Sequence, residues 1–219
     1  MKKVLAFKGS PRNNGNSTIL LDRFLKGSQT NNAIVEQIDA YKININYCRG
    51  CLRCNVLRRC IIENDDWQEL SKKILDADII IFATPVYFHH LPAPLKIILD
   101  RFRSFMHIMM NENGLVHTPW VKWNKDFVLL LSMGTVEDED AQPIIDLFDF
   151  VRKSLGEHNR VYTIKAKRVA MEKQVALPEE KLAILYKKLR LPQKLVHTDY
   201  LENQEVLKNA FDLGKKLTI

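Results

Sequence analysis

All four cysteines of this chain fall within residues 48–60, as Cys48-Arg-Gly-Cys51-Leu-Arg-Cys54-Asn-Val-Leu-Arg-Arg-Cys60. Three thiolates spaced C-x2-C-x2-C can turn round one face of a small inorganic cluster. A fourth, after a gap of five residues, can close the coordination as iron–sulfur ligation requires. The same thiols admit a cysteine-only zinc site, or free or oxidised cysteines. In a reducing compartment such close clustering favours metal or redox use over a disulfide framework. Arg49, Arg53, Arg58 and Arg59 interleave with the cysteines, and no acid lies among them. A basic patch round an electron-transfer site would attract an acidic protein such as a ferredoxin.

Three further segments could hold a ligand. Gly9-Ser10-Pro11-Arg12-Asn13-Asn14-Gly15-Asn16-Ser17-Thr18 lies between a strand pattern and a helix pattern, where free backbone N–H groups and the positive end of a helix dipole meet an anion. It contains neither G-x-G-x-x-G nor G-x-x-x-x-G-K-[ST], so a monophosphate suits it better than a dinucleotide or a nucleoside triphosphate. An ordinary polar turn capped by Asn16 or Ser17 is the alternative. Ala83-Thr84-Pro85-Val86-Tyr87-Phe88-His89-His90-Leu91-Pro92 follows an apolar run, and its backbone groups and aromatics suit the polar rim and face of a flat ring such as flavin. Singly, those aromatics and histidines also suit a core or an interface. Ser132-Met133-Gly134-Thr135 ends another apolar run, with a glycine that permits close backbone approach.

The elements that must position these segments are legible. Strands are predicted near Lys3–Phe7, Ala33–Ile38, Ile79–Ala83, Phe127–Ser132 and Arg160–Ile164, the third and fourth apolar throughout and therefore central. Helices fit Ser17–Lys26, Asp66–Leu75, Ala93–Phe105 and Gln142–Leu155, with prolines near the openings of the last two. The alternation predicts an α/β, doubly wound, five-stranded parallel sheet with helices on both faces. After about residue 166 come a basic stretch, a helix between Pro178 and Pro192, and a last helix from about Glu202 to Lys216 whose apolar stripe could cover the sheet. One domain is expected over 1–219, with a core of about 1–165 and a C-terminal helical extension of about 166–219. The stretch from Phe105 through Trp120 and Trp123 is longer than a connection needs. It suits a flavin cover, a subunit contact or a satellite core. Glu137 to Asp140 read as acids favouring a helix N-terminus rather than as a metal loop.

Composition narrows the classes. No apolar run approaches the roughly 18 residues a membrane span needs, and the N-terminal apolar run stops at Lys8, so a cytoplasmic location without membrane contact is expected. The net charge of +7 is spread over helical segments without a nucleic-acid motif, so no nucleic-acid partner is expected.

Taken in order, GSPRNNGNST at 9–18, TPVYFHHLPAPLKIILDR at 84–101 and SMGT at 132–135 resemble the NADPH-dependent FMN reductase family of flavodoxin-like proteins over about residues 1–165. The resemblance implies that Ser10, Arg12, Asn16, Ser17 and Thr18 hold the FMN phosphate. It assigns Pro85, Val86, Tyr87 and Phe88 to one side of the isoalloxazine, and Ser132, Met133, Gly134 and Thr135 to the other. Asp100 and Arg101 match the family's Asp-Arg pair and read as helix-end structure. The cysteine run resembles the family's iron–sulfur flavoprotein branch, which implies Cys48, Cys51, Cys54 and Cys60 as ligands of a [4Fe–4S] cluster.

Three functional classes follow. The first is an NAD(P)H-dependent FMN oxidoreductase, acting on small-molecule donors and acceptors with no general acid or nucleophile of its own, since the flavin carries the chemistry. The second is a ferredoxin-linked electron carrier with little NAD(P)H activity. The third is an FMN-binding thiol sensor of oxidants. A homodimer or homotetramer with contacts in residues 103–123 is expected.

Overall fold

The computed structural model describes residues 1–219. Five strands form one parallel sheet: β1 (Lys3–Lys8), β2 (Ile34–Asp39), β3 (Ile79–Pro85), β6 (Asp126–Ser132) and β7 (Arg160–Ala166). Their order is β2-β1-β3-β6-β7, each pair parallel. This is the doubly wound, flavodoxin-like topology, with its reversal of strand order at β1/β3. Alternation along the strands divides two cores. Leu5, Phe7, Ile80, Phe82, Phe127 and Leu129 face α3 (Trp67–Asp76), α4 (Ala93–Arg101) and α5 (Gln142–Leu155). Val4, Ala6, Ile79, Ile81, Val128 and Leu130 face α1 (Asn16–Gln29) and the last helix, α7 (Val196–Leu217). β3 and β6 are buried on both faces, as their unbroken apolar runs require. No helix is long and apolar enough to cross a membrane.

Three elements depart from the sequence expectation. α4 stops at Arg101, and residues Phe102–Phe105 tighten into a 3₁₀ turn that buries both phenylalanines. α7 begins at Val196 rather than near Glu202: the polar Asp199 and Asn203 of its first turns are buried, Asp199 against Tyr186 and Arg168, which an apolar-stripe criterion misses. The long connection contains a hairpin, β4 (Met106–Asn111) and β5 (Gly114–Pro119), closed by a two-residue turn at Glu112-Asn113. Its tip obeys hairpin chemistry: Asn113 N–H donates to the Asn111 side chain, and Gly114 takes φ +110°. Trp123 is buried in the chain's own core, so its apolar surface needs no second subunit.

α1 and α7 touch through glycines. A Cβ at Gly27 would sit 2.0 Å from the Phe211 carbonyl oxygen, and one at Gly214 2.0 Å from that of Phe24. Glycine inside a helix ordinarily costs up to about 1 kcal/mol relative to alanine. Here the cost buys backbone contact. Gly27→Ala and Gly214→Ala are therefore expected to lower stability, each by about 1–3 kcal/mol, instead of raising it. Urea titration of the apoprotein checks this, and higher stability in either variant would contradict the packing.

Candidate functional site

The loops after β1, β2, β3 and β6 all leave the carboxyl edge of the sheet, because the strands are parallel. After β1 the chain turns at Gly9, whose N–H donates to the Ala83 carbonyl at 2.8 Å and where a Cβ would strike Leu95 at 2.2 Å. A Cβ at Gly15 would lie 2.5 Å from Ser10 Oγ. The loop is thus tight enough to hold the Ser10 hydroxyl, itself buried, beside the start of α1. Gly15 is the N-cap and offers no side-chain cap, and no acid stands in the first turn. The opening N–H groups of α1 have no intrahelical acceptor. Ser17 Oγ and Thr18 Oγ1 are buried without a partner. Buried, unpaired donors gathered at a positive helix end fit a phosphate dianion.

Two residues assigned to the phosphate are engaged elsewhere. The Asn16 amide is saturated: Nδ2 donates to the carbonyls of Val169 (3.2 Å) and Met171 (2.9 Å), and Oδ1 accepts the Val175 N–H at 3.0 Å. Arg12 Nη1 donates to the Ala170 carbonyl at 2.9 Å. Sequence reading took residues 168–175 only as a basic stretch. Their role emerges from contacts about 155 residues away along the chain.

The second and third segments lie side by side, joined where Val86 N–H donates to the Ser132 carbonyl at 2.9 Å. Beyond Pro85 and Val86, residues Tyr87 and His90 bond backbone to backbone across a turn with Phe88 at φ +48° and His89 at φ +61°. Such angles are unfavourable for side chains other than Gly or Asn. The turn leaves the Phe88 ring wholly exposed and Tyr87 half-exposed. His89 Nδ1 lies 2.8 Å from Asp140 Oδ1, tying this turn to the acidic segment. Ser132 is buried, and Gly134 opens the backbone, with nothing nearer than 3.8 Å to an added Cβ. Thr135 Oγ1 accepts the Glu137 N–H. The Met133 side chain belongs to the core beneath the sheet, leaving only its backbone at this edge. Asp138 is bound by Lys165 and Lys167, whose hydrogen bonds hold its carboxyl down to about 2. The acidic segment thus makes ion pairs ahead of α5.

The cysteine segment follows β2. Cys48, Cys51, Cys54 and Cys60 line one small, open recess together with Arg101 and Arg103. Cys54 opens the short α2 (Cys54–Leu57) and is buried, whereas Cys51 is exposed. Burial pushes the Cys54 thiol up, and the Arg103 guanidinium, 3.5 Å from Sγ, works against it. Asn55 docks α2 on the hairpin by donating to the Ile108 carbonyl and accepting the Ile108 N–H, and Arg103 Nη2 braces the same side chain. Neither brace was legible in the sequence. No three His, Cys, Asp or Glu side chains converge on a point that could hold a single metal ion. Four thiols lining one recess with arginines and no acid fit an anionic [4Fe–4S] core.

Behind the cysteines, Arg101 is buried and paired with Asp65 at 2.5 Å, both side chains fully enclosed. It also donates to the Asn46 carbonyl and stacks on Trp67. Asp100, by contrast, is exposed and pairs with Lys96. Burial pushes the Asp65 carboxyl up, but hydrogen bonds from Arg101 and from the Asn46 and Trp67 N–H groups outweigh it and hold the group below its ordinary range. The sequence reading of Arg101 as helix-end structure omits this partner, because Asp65 lies 36 residues away.

Several known proteins are similar to this chain. An iron-sulfur flavoprotein of Methanocaldococcus jannaschii is 39% identical over 151 residues, covering 63% of this chain and 77% of that protein. One from Archaeoglobus fulgidus is 34% identical over 105 residues, 48% of this chain and only about half (47%) of that relative's length. Among solved structures, an azoreductase from Bacillus anthracis superposes with a TM-score of 0.63 at 17% identity, covering 99% of this chain and 100% of that one. An NAD(P)H:quinone oxidoreductase from Methanothermobacter marburgensis gives 0.63 at 17%, covering 99% and 98%. At such identity these two bear on the fold alone. The family model for NADPH-dependent FMN reductase matches residues 2–173, all five strands and the loops between them, and the chain belongs to that family.

Proposed function

We propose that this protein is an FMN-dependent oxidoreductase that takes reducing equivalents from NAD(P)H and passes them to a second acceptor. The observation that carries the reading is the set of buried, unpartnered hydroxyls of Ser17 and Thr18 at the open N-terminus of α1. Ser10, Ser17, Thr18 and the first N–H groups of α1 would hold the phosphate, with the remaining donors of Arg12 at the rim. The backbone of residues 85–88 and 132–135 would meet the ring, and the exposed Tyr87 and Phe88 would exclude water from it. FMN, when bound, supplies hydride acceptance and release of electrons singly or in pairs. The chain's own task is then position and electrostatics.

The four cysteines would hold a [4Fe–4S] cluster, which when bound exchanges single electrons. This favours a second reading, an electron carrier served by an acidic ferredoxin, because the recess is lined by Arg49 and Arg103 and by no acid, with the exposed Arg53, Arg58 and Arg59 in the same segment. The exposed Met109, Met110, Leu115 and Val116 of the hairpin support assembly into a homodimer or homotetramer.

Anaerobic reconstitution tests both readings. About four irons per chain are expected from the ligand set, and changing any one of the four cysteines to Ala should destabilise the cluster while leaving FMN bound. If NAD(P)H is the donor, it should reduce the flavin rapidly with or without the cluster. If a ferredoxin is, its reaction should be faster at low salt, since attraction to the arginines is screened over about 8 to 10 Å at ordinary ionic strength. Iron-free protein whose four-cysteine variant keeps full NAD(P)H-linked activity would eliminate the carrier.

A further inference from the structure

We infer that residues 168–175, anchored by the C-terminal helices, form a latch that holds the phosphate loop in its anion-binding shape, with Asn16 and Gln174 as its positioning residues. The inference rests on the FMN reading and adds to it the residues that keep the site assembled without touching the ligand.

Within residues 9–15 the phosphate loop makes few bonds of its own: Gly15 N–H to the Arg12 carbonyl at 3.1 Å, and Arg12 N–H to Ser10 Oγ at 3.2 Å. Five hydrogen bonds cross to it from the latch. Asn16 makes three, Arg12 makes one to the Ala170 carbonyl, and the Lys173 N–H donates to the Asn14 carbonyl at 3.1 Å. Such a loop owes its shape chiefly to its partner.

The latch in turn is shaped by one buried side chain. Gln174 is 1% exposed, and its Oε1 accepts the N–H groups of Ala170 and Met171, both at 3.1 Å, while Nε2 donates to the Arg168 carbonyl at 2.7 Å. This closes a knot in which Arg168 and Lys173 both adopt positive φ. Those angles are unfavourable for such residues and persist only where surroundings impose them. The knot is fastened at its Arg168 end to two elements. Arg168 and Val169 donate to the backbone carbonyls of Thr135 and Met133, the loop after β6. The Arg168 side chain reaches the buried Asp199 of α7 at 2.8 Å, where Tyr186 of α6 (Glu179–Leu189) also donates. A continuous set of bonds thus runs from α6 and α7 through Gln174 and Asn16 to the turn that presents Ser17 and Thr18. Pre-forming that turn removes the ordering cost from phosphate binding.

The test compares two flavins, because riboflavin lacks the phosphate and cannot report on its loop. Apoprotein carrying Asn16→Ala or Gln174→Ala is titrated with FMN and with riboflavin, following quenching of flavin fluorescence. FMN affinity is expected to fall about tenfold or more in each variant, while riboflavin affinity stays within about twofold of the parent. Unchanged FMN affinity overturns the latch, as does an equal loss for both flavins, which would signify general loosening. Should Asn16→Ala fail to fold, Gln174→Ala decides alone, since its side chain contacts neither the phosphate loop nor the ligand site. Parent protein that binds no FMN removes the flavin reading and the latch with it; parent protein that binds, with unaltered variants, removes only the latch.

Discussion

Arg101→Met is expected to destabilise the fold by about 3–5 kcal/mol, the usual consequence of removing one partner from an enclosed ion pair. The arginine neutralises Asp65, satisfies the Asn46 carbonyl and stacks on Trp67, and neither the Asp65 carboxylate nor the Trp67 ring has solvent to fall back on. Methionine fills comparable volume, so the loss should come from the stranded carboxylate and not from a cavity. The double variant Arg101→Met/Asp65→Leu should recover much of the stability, since two apolar groups leave no unpaired charge. The pair also predicts an acid response. Asp65 is held below its ordinary range, so the stability it contributes is complete above the unfolded carboxyl value of about 4 and is lost as pH falls through the folded value. The Arg101→Met variant should lose that portion of the pH dependence. Guanidinium titrations at pH 7 and pH 3 check the set. A single variant as stable as the parent at neutral pH would show that the pair contributes nothing.

Ser10→Ala/Ser17→Ala is expected to weaken FMN binding by far more than any substitution round the ring. Each hydroxyl hydrogen bond to a charged phosphate is worth about 1.5–3 kcal/mol, which corresponds to about ten- to more than a hundredfold in affinity per site. Ser17 should act nearly independently of the fold, because its hydroxyl has no protein partner to lose. Ser10 also accepts the Arg12 N–H, so its replacement should loosen the loop as well. Equilibrium titration of the apoprotein with FMN measures the change. Parent protein that prefers FAD, or variants that retain parental affinity, would refute the phosphate assignment.

Much of the architecture was legible in the chain. Apolar runs at Ile79–Phe82 and Phe127–Leu131 announce central parallel strands, since a strand covered on both faces needs no alternation. The glycines and hydroxyl residues of 9–18 announce a tight polar turn into α1 by local chemistry alone. The hairpin was less visible: Met106 to Met110 carries β-compatible residues and Asn113-Gly114 a turn signal, yet the apolar content admitted a cover, a contact or a core equally.

What the sequence determined by itself, then, is whatever depends on neighbours along the chain: strand identity, the polar strand-to-helix turn before α1 and the cysteine spacing. The tertiary structure alone decided which polar side chains were free to act. The Asn16 side chain reads as a phosphate donor until residues 169–175 engage its amide, and the Met133 side chain as a ring contact until the core takes it. Arg101 reads as a helix end until Asp65 is brought against it. The reason is physical. A buried hydrogen-bonding group has few valences and must fill them. Its partner is set by the meeting of segments remote in sequence, which local pattern does not encode.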